Sequence, residues 1–195
     1  MEISIRPETK EDYFIIENLV REAFWEMKGR PHGCYEHYLV HKLHQSEEFV
    51  KDLCYVALVK EKIIGHILYT KSKIIDNNKE YEILSFGPLS VLPGYQKMGV
   101  GKELVTFTLK KAKELNYRAV MIFGHPEYYP RFGFENAEKY GITTSEGKNF
   151  DAFMVCELYK DSLKGISGRG YKSSLFNDID ENELREFDKK FQNKI

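Results

Sequence analysis

The sequence predicts an α/β fold of the α+β kind: a mixed central sheet flanked by helices, with a helical extension at its C-terminal end. Two patterns and one bulk property lead there. Three β-rich runs follow one another across short polar turns, the signature of an antiparallel meander. The last run leads into a glycine-bearing loop, an amphipathic helical stretch and a continuous apolar run. That is the order of a strand–helix–strand crossover, whose two strands are parallel. The chain has 195 residues, 42% hydrophobic and 14% aromatic, enough apolar mass for one sizeable core with an appendage.

In chain order, Ile3-Ser-Ile-Arg6 alternates as a short strand that Pro7 ends, and Thr9-x-x-Asp12 resembles a capping box. Tyr13, Ile16, Leu19, Val20, Ala23, Phe24 and Met27 then recur at helical spacing, and Gly29 and Pro31 stop that helix. A second helix is expected over residues 35–49. Strands follow at 53–59, 63–75 and 80–91, with polar turns at Lys60-Glu-Lys62 and Asp76-Asn-Asn78. Pro88 cannot donate to a ladder, so a bulge or a splayed edge is expected there. A helix runs from Val100 to near Asn116, and Ala119-Val-Met-Ile-Phe123 reads as a strand buried on both faces. A short helix broken by Pro130 and Gly133 and a strand at 153–158 complete a domain over residues 1–160. In the extension, 161–195, Gly165, Gly168 and Gly170 mark a loop. Asp180 caps a last helix with Leu184, Phe187 and Phe191 on one stripe. This extension packs on the domain or on a second subunit, which leaves a homodimer open.

The stretch Val91-Leu-Pro-Gly-Tyr-Gln-Lys-Met-Gly-Val-Gly-Lys-Glu-Leu-Val105 organises the rest. A loop at a helix N-terminus presents backbone N–H groups with no internal partner, and the helix dipole favours negative charge, so the site suits a phosphate or pyrophosphate. Gly99 and Gly101 let the backbone approach a ligand. No Gly-Lys-Ser/Thr ending follows, which disfavours a Walker-type nucleotide site.

Gln96-Lys-Met-Gly-Val-Gly101, between strand and helix, resembles the Gln/Arg-x-x-Gly-x-Gly/Ala motif of the GNAT superfamily of N-acetyltransferases. Tyr129-Pro-Arg-Phe-Gly-Phe134 resembles that family's Tyr-x-x-x-Gly-Phe segment. The element order agrees as far as Tyr159, and Gly124-His-Pro-Glu-Tyr-Tyr and Phe153-Met-Val-x-Glu-Leu158 look like a bacterial subgroup of predicted acetyltransferases. The resemblance implies a sheet splayed at an acetyl-CoA site, with acetyl-CoA as cosubstrate and no metal. It implies that acetyl passes directly to an amine of a small molecule or peptide. A module of the same fold that holds an acyl-CoA without turning it over is the alternative. The backbone amides of Gln96, Lys97, Met98, Gly99, Val100, Gly101 and Lys102 would cradle the pyrophosphate. Leu89, Ser90 and Val91 would pair with the pantetheine arm as with an added strand, and an N–H near Leu89 could polarise the thioester carbonyl. Lys97 and Met98 stand where the family often has Gly and a basic residue, a departure that a backbone cradle tolerates.

Acetyl transfer also needs an acid for the departing thiolate, and the resemblance puts Tyr129 there. Tyr128 is core or substrate wall. An alkylammonium has a pKa of about 10, so a base or a water chain must take its proton. Glu82, His66, His125 and Glu26 are candidates by residue type, each with a structural reading beside it. Glu82 and Glu26 read as surface residues, His66 as a satisfied core histidine, and His125 as part of a turn.

Cys34, His37, His41 and His44 form a C-x-x-H-x-x-x-H-x-x-H string. On a helix the three histidines share one face. The string spans about 15 Å of helix, too long for one tetrahedral ion. Only a neighbouring pair could share a metal, with further ligands brought from elsewhere; with Tyr35, Leu39 and Leu43 on a roughly opposite face, the histidines otherwise read as solvated or as touching substrate. The formal net charge of −1 speaks against a nucleic-acid or anionic-membrane partner. No apolar run has the length of a membrane span, and the N-terminal residues do not read as a signal peptide. Three scattered cysteines, Cys34, Cys54 and Cys156, point to free thiols and a cytoplasmic protein.

Overall fold

The computed structural model describes residues 1–25 and 34–192. In chain order its strands and α-helices are β1 (Ser4–Pro7), α1 (Tyr13–Phe24), α2 (Glu36–Leu43), β2 (Tyr55–Val59), β3 (Lys62–Asp76), β4 (Lys79–Val91), α3 (Val100–Glu114), β5 (Ala119–Phe123), β6 (Glu135–Asn136), β7 (Ile142–Thr144), β8 (Phe153–Glu157), β9 (Gly168–Tyr171) and α4 (Glu181–Asp188). They fall into two compact units. One comprises Met1–Leu68, Pro88–Leu104 and Ser174–Ile195; the other comprises Tyr69–Gly87 and Val105–Ser173. The long strands β3 and β4 and the helix α3 contribute to both.

In the first unit β1, β2 and β3 pair antiparallel, with Ile5 opposite Ala57 and Tyr55 opposite Ile67. Asp12 sets the start of α1: its carboxylate accepts the Thr9 N–H at 2.8 Å and the Arg6 guanidinium at 2.6 and 2.8 Å. Ile16, Leu19 and Val20 of α1 and Leu39, Val40 and Leu43 of α2 are the buried stripes of two amphipathic helices. The second helix is shorter than the expected 35–49. Gln45 and Ser46 donate to the carbonyls three residues back, at 3.1 and 3.0 Å, and this tightening closes the helix. The strand expected from Leu53 begins instead at Tyr55, because Lys51–Leu53 coil into a 3-10 turn. Helix α4 is capped by Asp180, whose carboxylate accepts from the Asn182 and Glu183 N–H groups. Its Phe187 and Phe191 pack with Tyr38 of α2.

In the second unit β3 and β4 form a hairpin whose corner residues, Asn77 (φ 46°) and Asn78 (φ 66°), both take the left-handed conformation that a tight hairpin turn requires. The β4–β5 ladder is parallel, as the crossover predicts. It has two rungs, Leu84 with Val120 and Ser85 with Met121, and stops short of Gly87 and Pro88. Strand β8 pairs antiparallel with β5, and β6 pairs antiparallel with β8. Ile74, Ile83, Met121, Ile142, Phe153 and Val155 are central to this unit's core.

Two local expectations are corrected here. Gly168 and Gly170, read as loop residues, lie in β9, which pairs with β3 and with β7. A Cβ on Gly168 would come within 2.2 Å of the Ile75 carbonyl oxygen, and one on Gly170 within 2.4 Å of the Met121 sulfur. Only glycine admits so close an approach, so these glycines build a strand. The short helix after β5 is a 3-10 helix, Tyr129–Phe132. Pro130 sits in its first turn without breaking it, and Gly133 (φ 89°) ends it. Among the described residues no helix is long and apolar enough to cross a membrane.

Candidate functional site

Leu89, Ser90 and Val91 are the last residues of β4, and Gln96 to Gly99 form the turn that leads into α3. Leu92 donates to the Ile64 carbonyl at 2.9 Å, which ties the strand end to β3. The Gln96 side-chain amide donates to the Val91 carbonyl at 3.1 Å, which ties the turn to the strand end. Lys97 (φ 61°) and Gly99 (φ 91°) are left-handed. Left-handed residues within a turn swing successive N–H groups toward a common concavity, a nest suited to anions. The helical ladder begins with the Glu103 N–H on the Gly99 carbonyl, so the amides of the first turn have no intrahelical acceptor. Gln96, Lys97, Met98, Gly99 and Lys102 are exposed, and a Cβ on Gly99 would meet no atom within 4 Å. The loop thus offers unpaired backbone N–H groups at an exposed helix start, an arrangement suited to an anion.

Gly65, which the sequence reading passed over, supports the turn from below. A Cβ there would come within 2.8 Å of Val100 and 3.1 Å of Leu104, so the first turn of α3 rests on the β3 backbone. A lone glycine inside an apolar strand was the available signal. Ser90 is 2% exposed, and its hydroxyl has no hydrogen-bond partner among the described residues.

In the second unit Tyr129 stands on the 3-10 helix after β5, where its N–H and that of Tyr128 both donate to the His125 carbonyl. Its ring covers Gly124, where a Cβ would lie 2.3 Å from it. Phe86, Phe134 and Tyr128 surround the ring, with centroids 5.8, 5.7 and 5.1 Å away. Burial, helped by the neighbouring Tyr128, pushes the Tyr129 phenol up to about 12. It therefore keeps its proton at neutral pH. Tyr128 is half-buried with the Arg131 guanidinium 4.7 Å above its ring.

The base candidates separate cleanly. The Glu82 side chain is 60% exposed and 4.0 Å from Lys71, a solvent-face strand residue as its alternation predicts. His125 is exposed, and Glu26 lies outside the described residues. His66 is fully buried, and its Nε2 lies 2.6 Å from Glu8 Oε2.

The histidine string disperses, and the solvated reading is corrected for His37 and His44, while His41 stays partly exposed with its side chain at 32%. His37 is fully buried, 3.5 Å from the Cys34 sulfur and 3.1 Å from Asp188 of α4. Desolvation lowers it to about 4 despite Asp188. His41 pairs with Glu17 at 2.8 Å. His44 Nε2 meets Glu8 Oε1 at 3.0 Å, and its ring stacks on Tyr13 at 3.8 Å. So Glu8 gathers His44 and His66 from 36 and 58 residues away, and no local pattern marks it in the sequence. These three groups could face one metal ion. However, two ligands about 2.0–2.1 Å from a tetrahedral ion stand roughly 3.3 Å apart. The 2.6 and 3.0 Å contacts are therefore those of hydrogen bonds.

Residues 17–134 match the model of the acetyltransferase (GNAT) family. The chain belongs to the GNAT family. It is 34% identical over 97 residues to the uncharacterized N-acetyltransferase YjhQ of Escherichia coli K12, covering 50% of this chain and 54% of that one. It is 30% identical over 107 residues to the uncharacterized N-acetyltransferase YhbS of the same strain, covering 55% and 63%. These matches thus span between about half and two thirds of each relative. The crystal structure of Escherichia coli YhbS in complex with CoA superposes with a TM-score of 0.80 at 28% identity, covering 92% of this chain and 94% of that one. A GNAT acetyltransferase from Brucella melitensis in complex with acetyl-CoA shares the fold, with a TM-score of 0.72 at 23% identity and coverage of 90% and 98%.

Proposed function

We propose that the protein is an N-acetyltransferase that moves acetyl from acetyl-CoA directly to the amine of a small molecule or peptide. The observation that carries this is the corner where β4 ends: a left-handed turn at Lys97 and Gly99 opens α3 with its first amides unpaired. In this reading the amides from Gln96 to Lys102 hold the pyrophosphate, and Leu89, Ser90 and Val91 offer the strand end to the pantetheine arm. The family match and the CoA and acetyl-CoA complexes of its structural neighbours support the same cosubstrate.

Acetyl-CoA, when bound, supplies an activated thioester. Tyr129 is the group we assign to the departing sulfur. A phenol held near 12 retains its proton at neutral pH and donates a hydrogen bond as charge builds on the thiolate.

The test is a coenzyme A release screen against an amine library, run beside a calorimetric titration with acetyl-CoA. Wild type turns over at least one amine, and Tyr129→Phe loses roughly 100-fold in kcat while binding acetyl-CoA as before. Unchanged turnover in Tyr129→Phe would remove the tyrosine from the mechanism. Acetyl-CoA binding with no amine turned over would make the domain an acyl-CoA-binding module.

A further inference from the structure

We propose that Phe123, Phe150 and Lys172 form the seat of the acceptor and select a primary amine that carries an aromatic ring and a carboxylate. The proposal rests on the reading of the protein as an acetyltransferase with Tyr129 beside the departing sulfur.

The seat is built at the end of β5. The β4–β5 ladder stops after the rung of Ser85 with Met121, while β8 goes on to pair Phe153 with Phe123. The two faces of the sheet differ here. On one, Tyr69 Oη lies 3.0 Å from Thr108 Oγ1 of α3, and the Phe86 ring lies 5.3 Å from Tyr69 and 5.8 Å from Tyr129. A Cβ on Gly124 would meet both the Tyr129 ring and the Ile122 side chain. Tyr129 and Ile122 thus share the α3 face. Successive strand residues point to opposite faces, so Met121 and Phe123 face away from α3. On that side Gly170 of β9 crosses Met121. Lys172, two residues further on, holds its ammonium 4.4 Å from the centroid of the Phe123 ring.

Phe123 and Phe150 are each 45% exposed, with ring centroids 5.7 Å apart and planes 30° apart. Phe153, fully buried, backs Phe123 at 5.1 Å. The support of Phe150 is fixed. Its carbonyl accepts from the Asn136 amide at 3.3 Å and from the Phe153 N–H at 2.9 Å. The Gly124 N–H donates to the Ala152 carbonyl at 2.8 Å, which ties this loop to the end of β5. Two open rings on a rigid support offer an aromatic surface at a low ordering cost.

Lys172 adds charge. It is partly buried, and burial holds its ammonium below the usual lysine value. A cation short of water gains more from an anionic partner than an exposed one does, and it repels a second cation. The rings therefore select a ring, the ammonium selects a carboxylate, and a polyamine meets a like charge. Phe123 directly precedes Gly124, the residue under the Tyr129 ring. An acceptor on Phe123 so lies at the strand end where the acid stands, on the face that α3 and Tyr129 leave to the amine.

Three amines separate the elements of the seat. Para-(aminomethyl)benzoate carries ring and carboxylate, benzylamine the ring alone, and aminovalerate the carboxylate alone. Wild type should favour the first over each of the others by about 10-fold in kcat/KM. Lys172→Met keeps an apolar stem over Phe123 and removes the charge. It should cut the preference over benzylamine by about 10-fold. Phe150→Ala should cut the preference over aminovalerate by about threefold or more. A ratio of two amines on one variant does not depend on how much of that variant folds. Equal turnover of the three amines by wild type, or ratios that neither variant moves, overturns the seat and leaves acetyl transfer standing. Binding is read without turnover. When para-(aminomethyl)benzoate is added to 15N-labelled wild type with coenzyme A present, the amides of Phe123, Phe150 and Lys172 should shift, and Lys172→Met should need about 10-fold more ligand. Shifts at these amides with no amine acetylated keep the seat and fail the acetyltransferase reading. No shift at these amides overturns the seat.

Discussion

Asp188 and Glu8 each meet a histidine from α2, one near the helix start and one just past its end. Asp188 also receives the Arg21 guanidinium at 2.7 and 3.1 Å, and Arg21 reaches the Gln192 carbonyl at 3.2 Å. Glu8 is paired with two imidazoles. A guanidinium is a permanent cation, so the Asp188 pair fastens α4 to α1 at every working pH. The Glu8 carboxylate is held instead by hydrogen bonds to two imidazole nitrogens, at 3.0 and 2.6 Å, with no permanent cation beside it. The same motif, a carboxylate beside a histidine, is thus an ion-pair clamp in one place and a buried hydrogen-bonded cluster in the other.

The largest expected effect separates the two. Asp188→Ala strands a guanidinium that is 2% exposed and cannot neutralise itself, at a cost of about 3 kcal/mol or more in urea denaturation. Glu8→Gln leaves two imidazoles that can stay neutral and should cost about 1–3 kcal/mol. A larger loss for Glu8→Gln would break the contrast.

Acid sharpens it. His37, held at about 4 by desolvation, stays neutral in the fold while the unfolded chain takes up its proton below about 6.5. Its contribution is complete above about 6.5 and is lost as pH falls toward 4, up to about 3 kcal/mol. Glu8, held near about 2, contributes fully above its ordinary value of 4.5 and loses that as pH falls toward 2. Hydrogen exchange should therefore show α4 and the start of α2 losing protection first on acidification, and the Glu8 cluster later. Simultaneous loss would show that the two regions are not independent.

The smallest effect belongs to His41, whose side chain is 32% exposed in its pair with Glu17. His41→Ala should cost less than about 1 kcal/mol by the same denaturation. A greater loss would mean that exposure is the wrong guide to which histidine matters.

What the sequence made legible was local. The turn at Asn77 and Asn78 and the loop from Gln96 to Lys102 were readable because strand, glycine and helix signals lie within a dozen residues. The histidines of α2 show the limit. Helical spacing says which residues share a face, but not that Asp188, Glu17 and Glu8 wait opposite, since each carboxylate arrives on another element. Gly168 and Gly170 misled for a related reason. Glycine looks the same whether it serves a turn or a close crossing, and only the Ile75 carbonyl and the Met121 sulfur distinguish the two.

Gly65 carries a consequence for genetics. The atoms that forbid a methyl group there belong mainly to Val100 and Leu104, both movable side chains. A Gly65→Ala chain is overfilled at one spot, and Val100→Ala empties the same spot. Each change alone should displace or loosen the first turn of α3, while the two together restore the volume. A selection for suppressors of Gly65→Ala should therefore return position 100, thirty-five residues away in the chain, and so map the seat of the loop without any ligand in hand.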